Sequence, residues 1–254
     1  MDRATAKRKR RSTTILTLFV VLFGAGVFVY GVAHGRPVMP DSKLHQRLRQ
    51  DMVDRQIAGR DVTDTRVIDA MRLVPRHVFV PEDEREHAYE DRPLPIGEGQ
   101  TISQPYMVAA MVELAQLSDA ERVLEIGAGS GYGAAVLSRV AKEVVTVEIV
   151  EPLASRAQTT LERLGYDNVR VVVGDGWSGY PSGAPFDAIV VTAAPKDVPP
   201  ALVEQLALGG RLVIPVGDEH QRLEVYERTA DGVKKYRVFD VSFVPMTGRA
   251  QQLP

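Results

Sequence analysis

The alternation of short apolar runs with helix-like segments over residues 122–217 constrains this chain more than any other feature. RVLEI, EVVTVEI, NVRVVV, FDAIVV and RLVIPVG are strand-like, while GYGAAVLSRVA, EPLASRAQTTLERLG and VPPALVEQLALGG between them are helix-like. Strands rich in β-branched residues and apolar on both faces, interleaved with helices, imply a mostly parallel sheet covered on both sides. RLEVYERT and YRVFDVSFVPM follow with no helix between them, so a C-terminal β-hairpin completes the sheet. The expected fold is a doubly wound α/β sheet with an N-terminal helical extension. In that extension Leu44, Leu48, Met52 and Ile57 recur near one helix face, and a second helix is expected over residues 64–73, ended by Pro75. VPEDEREHAYEDRPLPIGEG, residues 80–99, is charged and rich in Pro and Gly, which predicts a surface loop of functional length.

The N-terminal part differs in kind. Lys7, Arg8, Lys9, Arg10 and Arg11 precede TTILTLFVVLFGAGVFVYGVA, residues 13–33, which carries no charge and matches the ~20 residues a helix needs to cross a bilayer. Gly31 and Ala33 would suit signal-peptide cleavage, but the apolar run exceeds the ~7 to 15 residues usual there, so an uncleaved single-pass anchor is expected. The organisation expected is a basic flank at 1–12, a transmembrane helix or signal anchor at 13–33, a linker at 34–43 and a catalytic domain at 44–254. A net charge of −2 offers no basic field for nucleic acid. With no cysteine, disulfides, thiol catalysis and thiolate zinc sites are excluded.

VLEIGAGSGYGAAV, residues 123–136, has the form of a strand entering a glycine loop and then a helix. In such sheets the ligand sits beyond the carboxyl ends of the strands, and Gly127, Gly129 and Gly131 let backbone amides approach it. A Gly-x-Gly pattern alone is equally a tight turn. Two acids strengthen the binding reading: Glu148 ends the next strand, where it can accept both ribose hydroxyls, and Asp175 ends the third, near an adenine edge. Ribose and adenine belong to NAD as well as to S-adenosylmethionine, and Gly129, Gly131 and Ala134 also fit the dehydrogenase fingerprint. Helices and a long loop precede the first strand, and no His or Lys near the later strand ends is an obvious hydride-transfer acid. Methyl transfer is therefore favoured over an NAD-dependent oxidoreductase.

The run VPRHVFVPEDEREHAYEDRPLPIGEGQTISQPYMVAAM, with LEIGAGSGYGAAVLS, VEIVEPLA, GDGWSGYP, FDAIVVTAAP, GGRLVIPVG and FVPMTG, closely resembles the protein-L-isoaspartate O-methyltransferase family. PLPIGEGQTISQP discriminates far better than the glycine loop. The resemblance covers roughly residues 44–252 and implies a class I, Rossmann-like, S-adenosylmethionine-dependent methyltransferase. Its acceptor would be the free α-carboxylate of L-isoaspartyl residues in damaged proteins, and the ester would begin repair through a succinimide. It implies Ser103 as the active-site residue with Thr101 beside it. Cofactor positions fall on Glu125, Gly127, Gly129, Glu148, Asp175 and Gly176, with Thr247 and Gln252 from the C-terminal tail. The hydrophobic N-terminal segment departs from the family pattern. Denser basic charge before that segment places the domain outside the cytoplasm, whereas a cytoplasmic cofactor supply argues for the opposite side.

Other features are weaker. Ser103 also stands where a helix N-cap belongs, just before Gln104, Pro105 and an apolar run. His34, His45, His77, His87 and His220 show no metal-binding spacing, so each is expected to be a surface or locally bonded side chain and no metal is expected. Trp177 suits stacking on adenine and packing in its loop equally. A non-catalytic binding protein of the same fold is disfavoured by the retained TISQP, VEI and GDG segments, and a monomer is expected.

Overall fold

The computed structural model describes residues 41–118 and 121–252. Helix α1 (Lys43–Met52) starts at Ser42, whose hydroxyl accepts the His45 amide at 3.1 Å, and runs into a π-helical turn, Val53–Ile57. Helix α2 (Thr65–Leu73) is capped by Asp64, which accepts the Arg66 amide. The apolar face expected of the first helix is only half right. Met52 and Ile57 are buried, but Leu44 is 62% exposed and Leu48 also faces solvent. Its first two turns are held instead by Arg49, which donates to the Arg72 carbonyl, the Asp41 carboxylate and the Tyr89 hydroxyl.

Residues 80–99 are not simply a surface loop. A 3₁₀ stretch, Glu82–His87, leads to buried Ala88 and Tyr89, and then strand β1 (Leu94–Gly97) pairs antiparallel with β2 (Gln100–Ile102). Leu94 and Ile96 point inward in a two-residue alternation that neighbouring Pro and Gly obscure in the sequence. Helix α3 (Pro105–Leu114) follows, with proline at its first turn where a missing N–H costs nothing.

The main sheet is built from β3 (Arg122–Ile126), β4 (Glu143–Glu148), β5 (Val169–Val173), β6 (Phe186–Val191), β7 (Leu206–Val216), β8 (Gln221–Thr229) and β9 (Gly232–Val241). Its order is β5-β4-β3-β6-β7-β8-β9. The first five strands in that order are parallel, and β8 and β9 add antiparallel neighbours as the expected hairpin. Helices α4 (Tyr132–Leu137), α5 (Glu151–Arg163) and α6 (Pro200–Glu204) connect the strands. Helix α6 is shorter than VPPALVEQLALGG suggests, because Leu206 already enters β7 beside Phe186.

Alternate residues feed two cores. Val123, Val144, Ala188 and Val213 pack with Met71, Val136 and Leu153 on one face, while Leu124, Val145, Ile189 and Leu212 pack with Leu202 on the other. A sheet buried on both sides explains why its strands read as nearly continuous apolar runs. The order reverses at β3, whose two neighbours are β4 and β6, and this opens a crevice at the carboxyl ends of β3 and β6.

The single-pass membrane location is corrected. Among the described residues no helix is long and apolar enough to cross a membrane. The longest is α5, an amphipathic helix of 13 residues, and at ~1.5 Å per residue it falls well short of a ~30 Å hydrocarbon core. The segment 13–33 that prompted the expectation lies outside the described residues.

Candidate active site

The glycine loop leaves β3 at Ile126 and is wired to both neighbouring strands. Thr192, just past β6, donates its hydroxyl to the Gly127 carbonyl at 2.8 Å and lies 3.1 Å from the Ile126 carbonyl. Gly127 has φ +95°, and a Cβ there would run into that hydroxyl, so only glycine fits. From β4, Glu148 accepts the Gly129 amide at 2.8 Å with one oxygen and the Val150 amide at 2.9 Å with the other. Each oxygen keeps a further lone pair, and the carboxylate lines the cavity above.

Glu125 lies deeper, 1% exposed. One of its oxygens accepts the Thr146 hydroxyl from β4 at 2.5 Å, and the other occupies the space that a side chain at position 133 would need, so Gly133 is required there. Burial, against the opposing pull of the Thr146 hydrogen bond and with a smaller push from Glu148, raises the Glu125 carboxyl to about 8.

Two cavities meet over this floor. The narrower takes in Thr101, Gly127, Gly129, Glu148, Gly176 and Thr247. The wider takes in Thr101, Ser103, Gln104, Thr192 and Phe243. Thr101 and Thr192 belong to both, and a small cleft between them brings in Ser103 and Glu125.

The remaining expected residues divide. Ser103 faces the wider cavity and caps nothing, because the residue at the head of α3 is Gln104 and its side chain makes no capping bond. Asp175 is occupied by backbone: its oxygens accept the Trp177 amide at 2.9 Å and the Arg249 amide at 2.8 Å. That second bond, with the pairing of residues 244–246 along Ala194, brings Thr247 to the cavity. Gln252 is exposed and lines neither cavity. Trp177 packs against the second core. Thr192 and Thr146 were not singled out from the sequence. The only signal for them is a hydroxyl residue near the carboxyl end of a parallel strand, too common to act on alone.

A switch-point crevice, a glycine loop wired to an acid on the next strand, and an adjoining second cavity are the arrangement a class I methyltransferase uses. The family model for protein-L-isoaspartate(D-aspartate) O-methyltransferase matches residues 46–251, and the chain belongs to that family. It is 54% identical over 212 residues to "Protein-L-isoaspartate O-methyltransferase 2" of Shewanella sediminis, covering 83% of this chain and 87% of that protein. To the enzyme of Roseiflexus castenholzii it is 58% identical over 201 residues, 79% of this chain and 92% of the other. Among solved structures, a protein-L-isoaspartate O-methyltransferase superposes with TM-score 0.72 at 31% identity, over 81% of this chain and 67% of that one. A Plasmodium falciparum protein described as a putative member, in complex with S-adenosyl-L-homocysteine, gives TM-score 0.69 at 27% identity, over 80% of this chain and 98% of that one.

The chain is thus an S-adenosylmethionine-dependent enzyme of this family, and neither the nicotinamide reading nor the non-catalytic one is favoured.

Proposed function

We propose that the narrower cavity holds S-adenosylmethionine and the wider one an isoaspartyl peptide, so that methyl donor and acceptor meet beside Thr101 and Thr192. The observation that carries this reading is that these two residues line both cavities while Ser103 lines the wider one at their junction. The donor set suits the cofactor. Glu148 has lone pairs left for the two ribose hydroxyls, Gly127 and Gly129 let the backbone come close, and Glu125 offers a carboxyl for a cationic ammonium. When bound, the cofactor supplies an electrophilic methyl group on a sulfonium.

The acceptor carboxylate, with a reference pKa near ~4, is already ionised at neutral pH and needs no base. Placement is then the main task, and correct placement contributes up to ~7 to 11 kcal/mol. Ser103 donates a hydrogen bond that orients the carboxylate without taking a proton, and Thr101 closes the border. A backbone amide nitrogen next to the ester then attacks its carbonyl and expels methanol, and hydrolysis of the resulting succinimide returns part of the product as normal aspartate. Paired peptides that differ only in an Asp or isoAsp linkage test the assignment: radiolabelled methyl should enter the isoAsp peptide alone. Equal labelling of both peptides would sink it.

A further inference from the structure

Away from this crevice, the first helix and the VPRH segment bring together three side chains that the sequence keeps apart. Asp41, His45 and His77 place one carboxylate oxygen and two imidazole nitrogens all within 4.8 Å of one another. The two rings lie face to face at 3.8 Å between centroids, 29° from parallel. His77 is 0% exposed. Its Nδ1 is fixed by the Tyr89 hydroxyl at 2.7 Å, while its Nε2 is buried with no partner among the described residues. The Nδ1 of His45 is buried and unpartnered as well. An orphaned buried imidazole nitrogen is costly, and two side by side next to a carboxylate share a need for one cation.

We propose that Asp41, His45 and His77 bind a borderline-soft divalent cation of the zinc class, which fastens helix α1 to the segment leading into β1. The ligand types are those zinc takes, two imidazoles and a carboxylate with a fourth position left for water. An outer shell is already built. Tyr89 orients His77 through its other ring nitrogen, as metal-bound histidines require, and Arg49 bonds both oxygens of Asp41 at 3.2 and 2.7 Å. His45 is only half buried, so its ring can turn from the stacked position to bring Nδ1 onto the cation. None of the three residues lines either cavity of the crevice, so the site is structural and separate from methyl transfer.

Calorimetric titration of the intact, metal-stripped chain with zinc chloride tests this, alongside the thermal midpoint at each zinc concentration. Saturation at one ion per chain is expected, with a low-micromolar or tighter dissociation constant and a rising midpoint. His45→Ala should weaken binding by about tenfold or more and shrink the midpoint shift accordingly. Asp41→Asn should weaken it less. Absence of saturable binding in the wild type, or unchanged binding in His45→Ala, overturns the proposal.

Discussion

The floor of the crevice and its walls are built differently. The floor is the carboxyl ends of β3, β4 and β6, where Glu148 and Thr192 are tied to loop backbone and Glu125 to the Thr146 hydroxyl by short bonds. The walls arrive from elsewhere in the chain. The β1–β2 hairpin is fastened to α5 by Arg156, which donates to the Ile96 carbonyl at 2.9 Å, and the tail is fastened by the Arg249 amide on Asp175 and the pairing at Ala194. A floor locked by buried bonds can hold one invariant ligand. Walls attached at few points can adjust to acceptors presented by many different damaged proteins. If this division is right, floor changes should appear in cofactor affinity and stability, and wall changes in turnover.

The severest break is Gly127→Ala. Left-handed backbone costs a residue with a Cβ ~1 to 2 kcal/mol, and the collision with Thr192 adds an overpacking cost of ~1 to 3 kcal/mol. Cofactor affinity should fall by about 100-fold and the thermal midpoint should drop, as titration calorimetry and a melting curve would record. A variant that binds the cofactor normally would show the loop is not held as described.

Next is Glu148→Ala. It strips acceptors from the Gly129 and Val150 amides and from the proposed ribose contact, and each bond to a charged acceptor is worth ~1.5 to 3 kcal/mol. Affinity for the cofactor should fall tenfold or more, with peptide KM unchanged. Unaltered affinity would reduce Glu148 to a loop fastener.

What the sequence disclosed follows the same division. The strands and the glycine loop were legible because a sheet buried on both faces demands continuous apolar runs, and because positive φ at Gly127 leaves glycine as the residue of choice. The walls were legible only as a resemblance. The TISQP serine carries no local pattern that distinguishes it from a helix cap, and the structure gives that cap position to Gln104. The alternation of Leu94 and Ile96 was hidden by proline and glycine, and residues 80–99 therefore looked like open loop. Gln252 was placed at the site by analogy, while the tail beyond Arg249 leaves it in solvent. The pair of His45 and His77 was invisible for a simpler reason: no short-range spacing links residues that meet only through tertiary packing.

A gentler probe of the floor is pH. Glu125 has its folded pKa raised from 4.5 to about 8 by burial, so its neutral form is the one the fold accepts. Stability is then fully present below the unfolded value and is lost as pH rises toward about 8, no more steeply than ~1.4 kcal/mol per pH unit. Denaturant melts of the cofactor-free protein between pH 5 and pH 9, a range of ~4 units chosen to span that window, should show this decline, and Glu125→Gln should flatten it. Saturating cofactor should flatten it too, because a cationic ammonium near Glu125 favours the ionised carboxylate. A slope identical in wild type and Glu125→Gln would remove Glu125 as its source.

The smallest effect belongs to the wall, in Ser103→Ala. If the hydroxyl only orients an acceptor that is already nucleophilic, its loss removes one hydrogen bond to a charged group, and kcat on an isoAsp peptide should fall by about tenfold. Stability separates this from a structural role. Loss of a helix cap costs ~0.5 to 2 kcal/mol, but the head of α3 is Gln104 and Ser103 caps nothing, so the melting midpoint should not move. Cofactor affinity should not move either, since Ser103 does not line the narrower cavity. Ser103→Thr keeps a hydroxyl in a site open enough for one more methyl group and should restore most of the turnover. A drop in midpoint with turnover intact would reverse the assignment, making this serine part of the scaffold and leaving Thr101 as the wall residue nearest the transfer.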